Sequence, residues 1–155
     1  MAMEQVVRFP GERDLPPGVG LPGPIEQREY LLGGELRRWD GPMQEVVSPV
    51  WAEGPSGPVP RVIGACPQLD EAEALRALDA AAAAYDNGRG AWPTMPVAGR
   101  IACVEDFARR MTARRDEVVR LLMWEIAKPR PDAEREFDRP VEYIRGPIEA
   151  LKDLD

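Results

Sequence analysis

Apolar and polar positions alternate differently in the two halves of the chain. Between residues 29 and 67 the apolar positions come in short runs. YLL and the apolar positions of ELRRW flank Gly33-Gly34, and two further runs are QEVVSPVW (44–51) and VPRVIGAC (59–66). Runs of this length bounded by Gly and Pro predict short strands, and a Gly-Gly pair between two of them predicts a tight hairpin turn. From Leu69 onward the spacing becomes helical. Asp70 and Glu73 form a capping pair, and Ala72, Leu75, Leu78, Ala82 and Tyr85 recur at three- and four-residue intervals up to Asn87-Gly88. A second, long helix is predicted from Thr94, with the stripe Val97, Ile101, Val104, Phe107/Ala108, Met111, Val118, Leu122 and Ile126, ending at Lys128-Pro129. A third follows Pro131 with Ala133, Phe137, Val141, Ile144, Ile148 and Leu151 on one face. It carries Pro140 and Gly146-Pro147 inside, so it is expected to be kinked or broken.

Composition sharpens this division. Of the 17 Pro and 14 Gly, 11 and 10 fall within residues 1–67. Residues 1–28 have five prolines, four glycines and no periodic apolar face, and read as an extended or disordered arm. The expected organisation is an arm (1–28), short antiparallel strands with a hairpin (29–67) and a helical portion (68–155), an α+β class.

Charge and residue inventory narrow the chemistry. The chain has 155 residues and a net charge of −7, which argues against nucleic acid or an anionic membrane as a partner. It has no histidine, which excludes a Ser-His-Asp triad, a Cys-His dyad and any histidine metal site in this chain. Cys66 and Cys103 fit no metal spacing, so no metal is expected. Both read as inert, packed thiols, and two cysteines without a leader segment point to a reducing cytoplasm. No apolar run approaches the ~20 residues of a membrane helix. Gly18-x-Gly20-x-x-Gly23 has the spacing of a phosphate loop but neither a strand before it nor a helix behind it. Asp86-Asn-Gly-Arg-Gly lacks the later acidic ligands of a calcium loop.

The helical half carries a recognisable order of words. An alanine-rich helix leads to Trp92 in AWPTMPV, then come Arg100, the run Arg114-Arg115-Asp116-Glu117 and the helix end Glu125-Ile-Ala-Lys128-Pro129 in LLMWEIAKP, and last EFDRPVEYI. With YLLGGELRRW and EVVSPV before them, these words resemble the N-terminal segment of the aldehyde dehydrogenase superfamily, closest to its NADP-dependent, non-phosphorylating glyceraldehyde-3-phosphate dehydrogenases. The resemblance runs from about Tyr30 to Asp155 and implies an incomplete portion of an α/β aldehyde dehydrogenase fold. It also implies NAD(P)-dependent oxidation of an aldehyde to an acid by the complete enzyme. The family's nucleophilic cysteine, general-base glutamate and cofactor-binding strands lie beyond the matching region. No catalytic residue and no cofactor-binding residue is therefore carried over, and this chain alone is expected to be inactive. One substrate-binding position transfers, Arg139 of EFDRPVEYI, which would meet a substrate phosphate; an ion pair with Glu142 or Asp138 is the alternative. Ala127 stands where the family has a helix-ending glycine that suits positive φ. The implied partners are the rest of an aldehyde dehydrogenase chain or further copies of this one. The other readings are a docking module and a truncated remnant.

Overall fold

The computed structural model describes residues 9–21 and 23–154; the start of the expected arm, residues 1–8, lies outside them. Among the described residues, five strands are followed by five α-helices. The strands are β1 (Ile25–Glu26), β2 (Glu29–Leu32), β3 (Glu35–Arg38), β4 (Met43–Gly54) and β5 (Gly57–Pro67). The helices are α1 (Glu71–Tyr85), α2 (Ala91–Thr94), α3 (Val97–Ala113), α4 (Arg115–Glu125) and α5 (Arg130–Lys152).

The hairpin at Gly33-Gly34 forms as its sequence demands. β2 and β3 pair antiparallel with Leu31 opposite Leu36 and Leu32 opposite Glu35. The two glycines take φ of 61° and 84°, the pair of positive angles that a two-residue turn matched to strand twist requires. β4 and β5 form a second, longer hairpin closed by Pro55-Ser56. Its prolines sit where a missing amide costs little. Pro49 lies in a bulge between Ser48 and Trp51, and Pro58 and Pro60 precede the short stretch of β5 that receives a third strand. That third strand corrects the all-antiparallel expectation: β1 joins β5 in parallel, Ile25 against Gly64 and Glu26 against Ala65, so the sheet is mixed in the order β1-β5-β4. Glycine is required at 64, since a Cβ there would collide with the Ile25 carbonyl.

The expected long helix is divided. Arg114 leaves helical geometry (φ −102°, ψ 9°) and separates α3 from α4. The Thr112 hydroxyl donates back to the Ala108 carbonyl at 2.8 Å, a local bond that competes with the helix ladder one turn before the break. The break turns the apolar face: Val119 and Trp124 are buried after it, while Ile126 of the predicted stripe is exposed.

The last helix, in contrast, is not broken. α5 runs through Pro140 and Pro147 as one element of 23 residues. Each proline withdraws the donor of the carbonyl four residues earlier, those of Glu136 and Tyr143. Both of these residues are exposed, where solvent is available to their unpaired carbonyls. Ala133, Phe137, Val141 and Ile148 are buried on the opposite face. The main core is the α4–α5 seam: Val119, Ala133, Phe137 and Val141, with Met111, Val118, Leu122 and Met123 against them.

Two elements depart from the expected burial. The α1 stripe stays exposed at Leu75, Leu78 and Tyr85, because the main packing of α1 is against α2, the turn after it and β2. The capping part of its reading is met, with the Asp70 carboxylate accepting from the Glu73 amide at 2.9 Å. Cys66 and Cys103, expected to be packed, are both exposed and free. Cys66 lies near the end of β5, and Cys103 lies off the α3 face that buries Ala108.

Ala127 follows α4 with φ 52°, the left-handed conformation that its glycine-like position implied. Ala127→Gly is expected to stabilise the chain by about 1 kcal/mol, since an L-residue pays roughly that amount there and glycine does not. A urea titration that shows no upward shift in midpoint would contradict this.

Candidate functional site

The candidate site is a cleft of about 760 Å³ on the outer face of α5, lined by Lys128, Asp132, Arg135, Glu136, Arg139, Pro140 and Tyr143. Its construction is helical: 132, 135, 136, 139, 140 and 143 recur at three- and four-residue steps, and Lys128 joins from the α4–α5 connection. Arg135 is ion-paired with Asp132 and Lys128 with Glu136. Arg139 has neither of the acidic partners considered for it and makes no ion pair among the described residues. Asp138 is taken instead by Arg115 of α4, through two parallel bonds of 2.8 Å each. The cleft therefore holds three cations against two carboxylates, and its surplus charge is the Arg139 guanidinium. A planar, permanently charged fork with no internal partner suits a carboxylate or phosphate. The exposed phenol of Tyr143, one turn on, adds a second donor.

Arg115 and Asp138 fix the helix that carries this cleft. The Arg115 hydrogen bond holds the Asp138 carboxyl below its usual range, against a smaller opposing effect of burial. The sign of the linkage follows. A depressed folded pKa contributes stability that is present at neutral pH and is lost as the pH falls through the Asp138 folded value. Asp138→Asn should therefore flatten the acid limb of a urea-midpoint profile between neutrality and the acid range. A profile parallel to the parent would refute the linkage.

A second constellation is structural. Trp124, 5% exposed, joins three parts of the chain. Its carbonyl accepts a bond from the buried Ser48 hydroxyl of β4, its indole N–H donates to the Val19 carbonyl at 2.7 Å, and the Arg61 guanidinium lies 5.2 Å from its ring centre. Ser48 Oγ also accepts from the Val50 amide at 3.0 Å, which turns its hydrogen toward Trp124. With the Glu53 amide donating to the Pro10 carbonyl at 3.2 Å, these bonds tie the arm over residues 9–21 to the body.

Arg135 and Tyr143 were legible only as a charge and an aromatic of the last helix, and Lys128 only as the residue before Pro129. The pairing of Asp138 across two helices, which leaves Arg139 free of it, was not legible at all. The two cysteines sit on β5 and α3, and among the described residues no cluster of His, Cys, Asp and Glu is arranged to hold a metal. Among those residues, too, no helix is long and apolar enough to cross a membrane.

Comparison with known proteins gives one match. The family model described as the aldehyde dehydrogenase family matches residues 55–155, about two-thirds of the chain. No curated protein and no solved structure matches.

Proposed function

The chain belongs to the aldehyde dehydrogenase family, and we propose that it works as the N-terminal segment of an NAD(P)-dependent enzyme that oxidises a phosphorylated aldehyde, of the glyceraldehyde-3-phosphate type, to the acid. Its part in that reaction is to offer a substrate phosphate the Arg139 guanidinium, with Tyr143 and the paired cations Arg135 and Lys128 around it. The observation that carries the reading is that Arg139 has no ion-pair partner among the described residues, in a cleft where the other two cations are neutralised.

The reading assigns no cofactor cradle and no nucleophile to this chain. A dinucleotide's pyrophosphate takes a glycine-rich turn between a strand and a helix N-terminus. Among the described residues the one such passage, β5 to α1, is Gln68-Leu69-Asp70, free of glycine. Asp70 already caps the helix, and Glu71 and Glu73 add negative charge to its first turn. A nicotinamide dinucleotide does not fit there, and no step is routed through it. In an aldehyde dehydrogenase a cysteine attacks the aldehyde; neither Cys66 nor Cys103 stands where the family's nucleophile does, so the chain alone is assigned no turnover. The compartment in this reading is the reducing cytoplasm, supported by two unpaired thiols.

The test has two arms. Glyceraldehyde 3-phosphate and unphosphorylated glyceraldehyde are titrated into the full chain with NMR detection on α5. The phosphorylated ligand is expected to shift the signals of Arg139 and Tyr143, and Arg139→Gln is expected to abolish that response. Joined to the downstream portion of an aldehyde dehydrogenase, the chain should support NADP reduction. Equal response to both ligands, or an inactive joined protein that is folded, would overturn the assignment.

A further inference from the structure

The β2–β3 hairpin is a sheet of two strands, and among the described residues neither strand pairs with any other along its outer edge. α1 packs against β2, on the face where Leu32 is buried and Tyr30 half-buried. All four β3 residues, Glu35 to Arg38, are exposed, and among the described residues β3 pairs with no strand but β2. On the other face Leu31 and Leu36, directly opposite one another, are 69% and 72% exposed. Two strands alone are marginal in water, and a third or fourth is the usual remedy.

The backbone register says which groups are free. The Trp39 amide donates to the Arg28 carbonyl at 2.8 Å, so 28 and 39 form a bonded pair. Bonded pairs alternate along an antiparallel ladder, so 30 with 37 and 32 with 35 are bonded inward as well. Leu36 and Arg38 therefore point their N–H and C=O outward, away from β2.

We propose that this edge pairs with the same edge of a second copy of the chain, antiparallel and centred on Leu36. Leu36 exchanges both outward bonds with Leu36 of the second copy. Glu35 then stands opposite Arg37 of the second copy, and the two-fold symmetry repeats that pair on the other side. Charge selects this register over its neighbours. A shift that centres the ladder on Arg37 sets arginine against arginine, and one that centres it on Glu35 sets glutamate against glutamate. The resulting four-stranded sheet aligns Leu31, Leu36 and their two counterparts in one row across the strands. The surface is isologous, as a closed dimer requires. An edge of four residues makes a weak dimer on its own, so its position matters more to the test than its affinity.

The experiment uses the full chain with Cys66→Ser and Cys103→Ser, so that an added thiol stands alone. Leu36→Cys is expected to give a disulfide-linked dimer under mild oxidation, because the two 36 positions face each other across one strand spacing. Leu31→Cys lies one strand further out in each copy, about 14 Å from its counterpart, and is expected to stay monomeric. In sedimentation, Glu35→Arg or Arg37→Glu alone should raise the dimer dissociation constant about tenfold or more, and the two together should restore it. A monomer at high micromolar concentration overturns the proposal. So does equal cross-linking at 31 and 36, or association that is insensitive to the charge changes, which would place the contact on the exposed α1 face instead.

Discussion

Trp124→Ala is expected to lower stability by about 3–5 kcal/mol, the usual cost of removing a buried aromatic, and to release the arm. The two effects have different sources. The loss of ring volume opens the contact between the end of α4 and the strands, where Val50 and Met123 also lie. The loss of the indole N–H leaves the Val19 carbonyl without its donor at 2.7 Å and removes the ring beneath Arg61. Trp124→Phe separates them. It keeps a ring and is expected to cost only about 1 kcal/mol for the hydrogen bond, yet it should still speed tryptic cleavage after Arg13. Urea titration reads the first effect and proteolysis the second. Unchanged cleavage in Trp124→Phe would mean that the arm is held without this bond.

Phe137→Ala should be comparably damaging, at about 3–5 kcal/mol, and with a distinct signature. Phe137 is buried in the α4–α5 seam beside Ala133, which is fully buried, and Val119. α5 also contains two prolines, each of which disfavours a helix interior by about 3 kcal/mol. The helix persists across them because its buried face is held. Weakening that face should unwind α5 beyond Pro140, so helicity at 222 nm is expected to fall before the cooperative transition. Ile148→Ala, past the second proline, should cause the same early loss with a smaller shift in midpoint. A single sharp transition in both variants would show that α5 does not depend on the seam in this way. The consequence for function is direct, since Arg139 and Tyr143 ride on the same helix as Phe137.

The relation between these two sites also explains how Arg139 becomes available. Asp138 and Arg139 are neighbours, and an ion pair between them or with Glu142 was a reasonable expectation. The helix turns Asp138 toward α4, where Arg115 binds it with two bonds. Arg139 is turned toward the cleft. One residue along a helix is a rotation of about 100°, enough to give adjacent charges different partners.

Much of the architecture is local in origin and could be read along the chain. The hairpin at Gly33-Gly34 follows from two residues that accept positive φ. The start of α1 follows from the Asp70–Glu73 pair, and the positive φ at Ala127 follows from a helix ended before Lys128-Pro129. The α5 core positions Ala133, Phe137, Val141 and Ile148 follow from helical spacing. The resemblance to the aldehyde dehydrogenase family was legible in the order of such words, and the family match over residues 55–155 shows the membership. Tertiary structure alone decided the rest: the parallel joining of β1 to β5, the continuity of α5 through its prolines, the burial of Trp124 and Ser48, and the exposure of α1. In each case the physical reason is the same. Turn angles and caps depend on residues within one turn of each other, whereas burial and strand partnership depend on which distant surface arrives. The apolar stripe of α1 states that the helix has a face to cover; only the packed chain determines whether anything covers it.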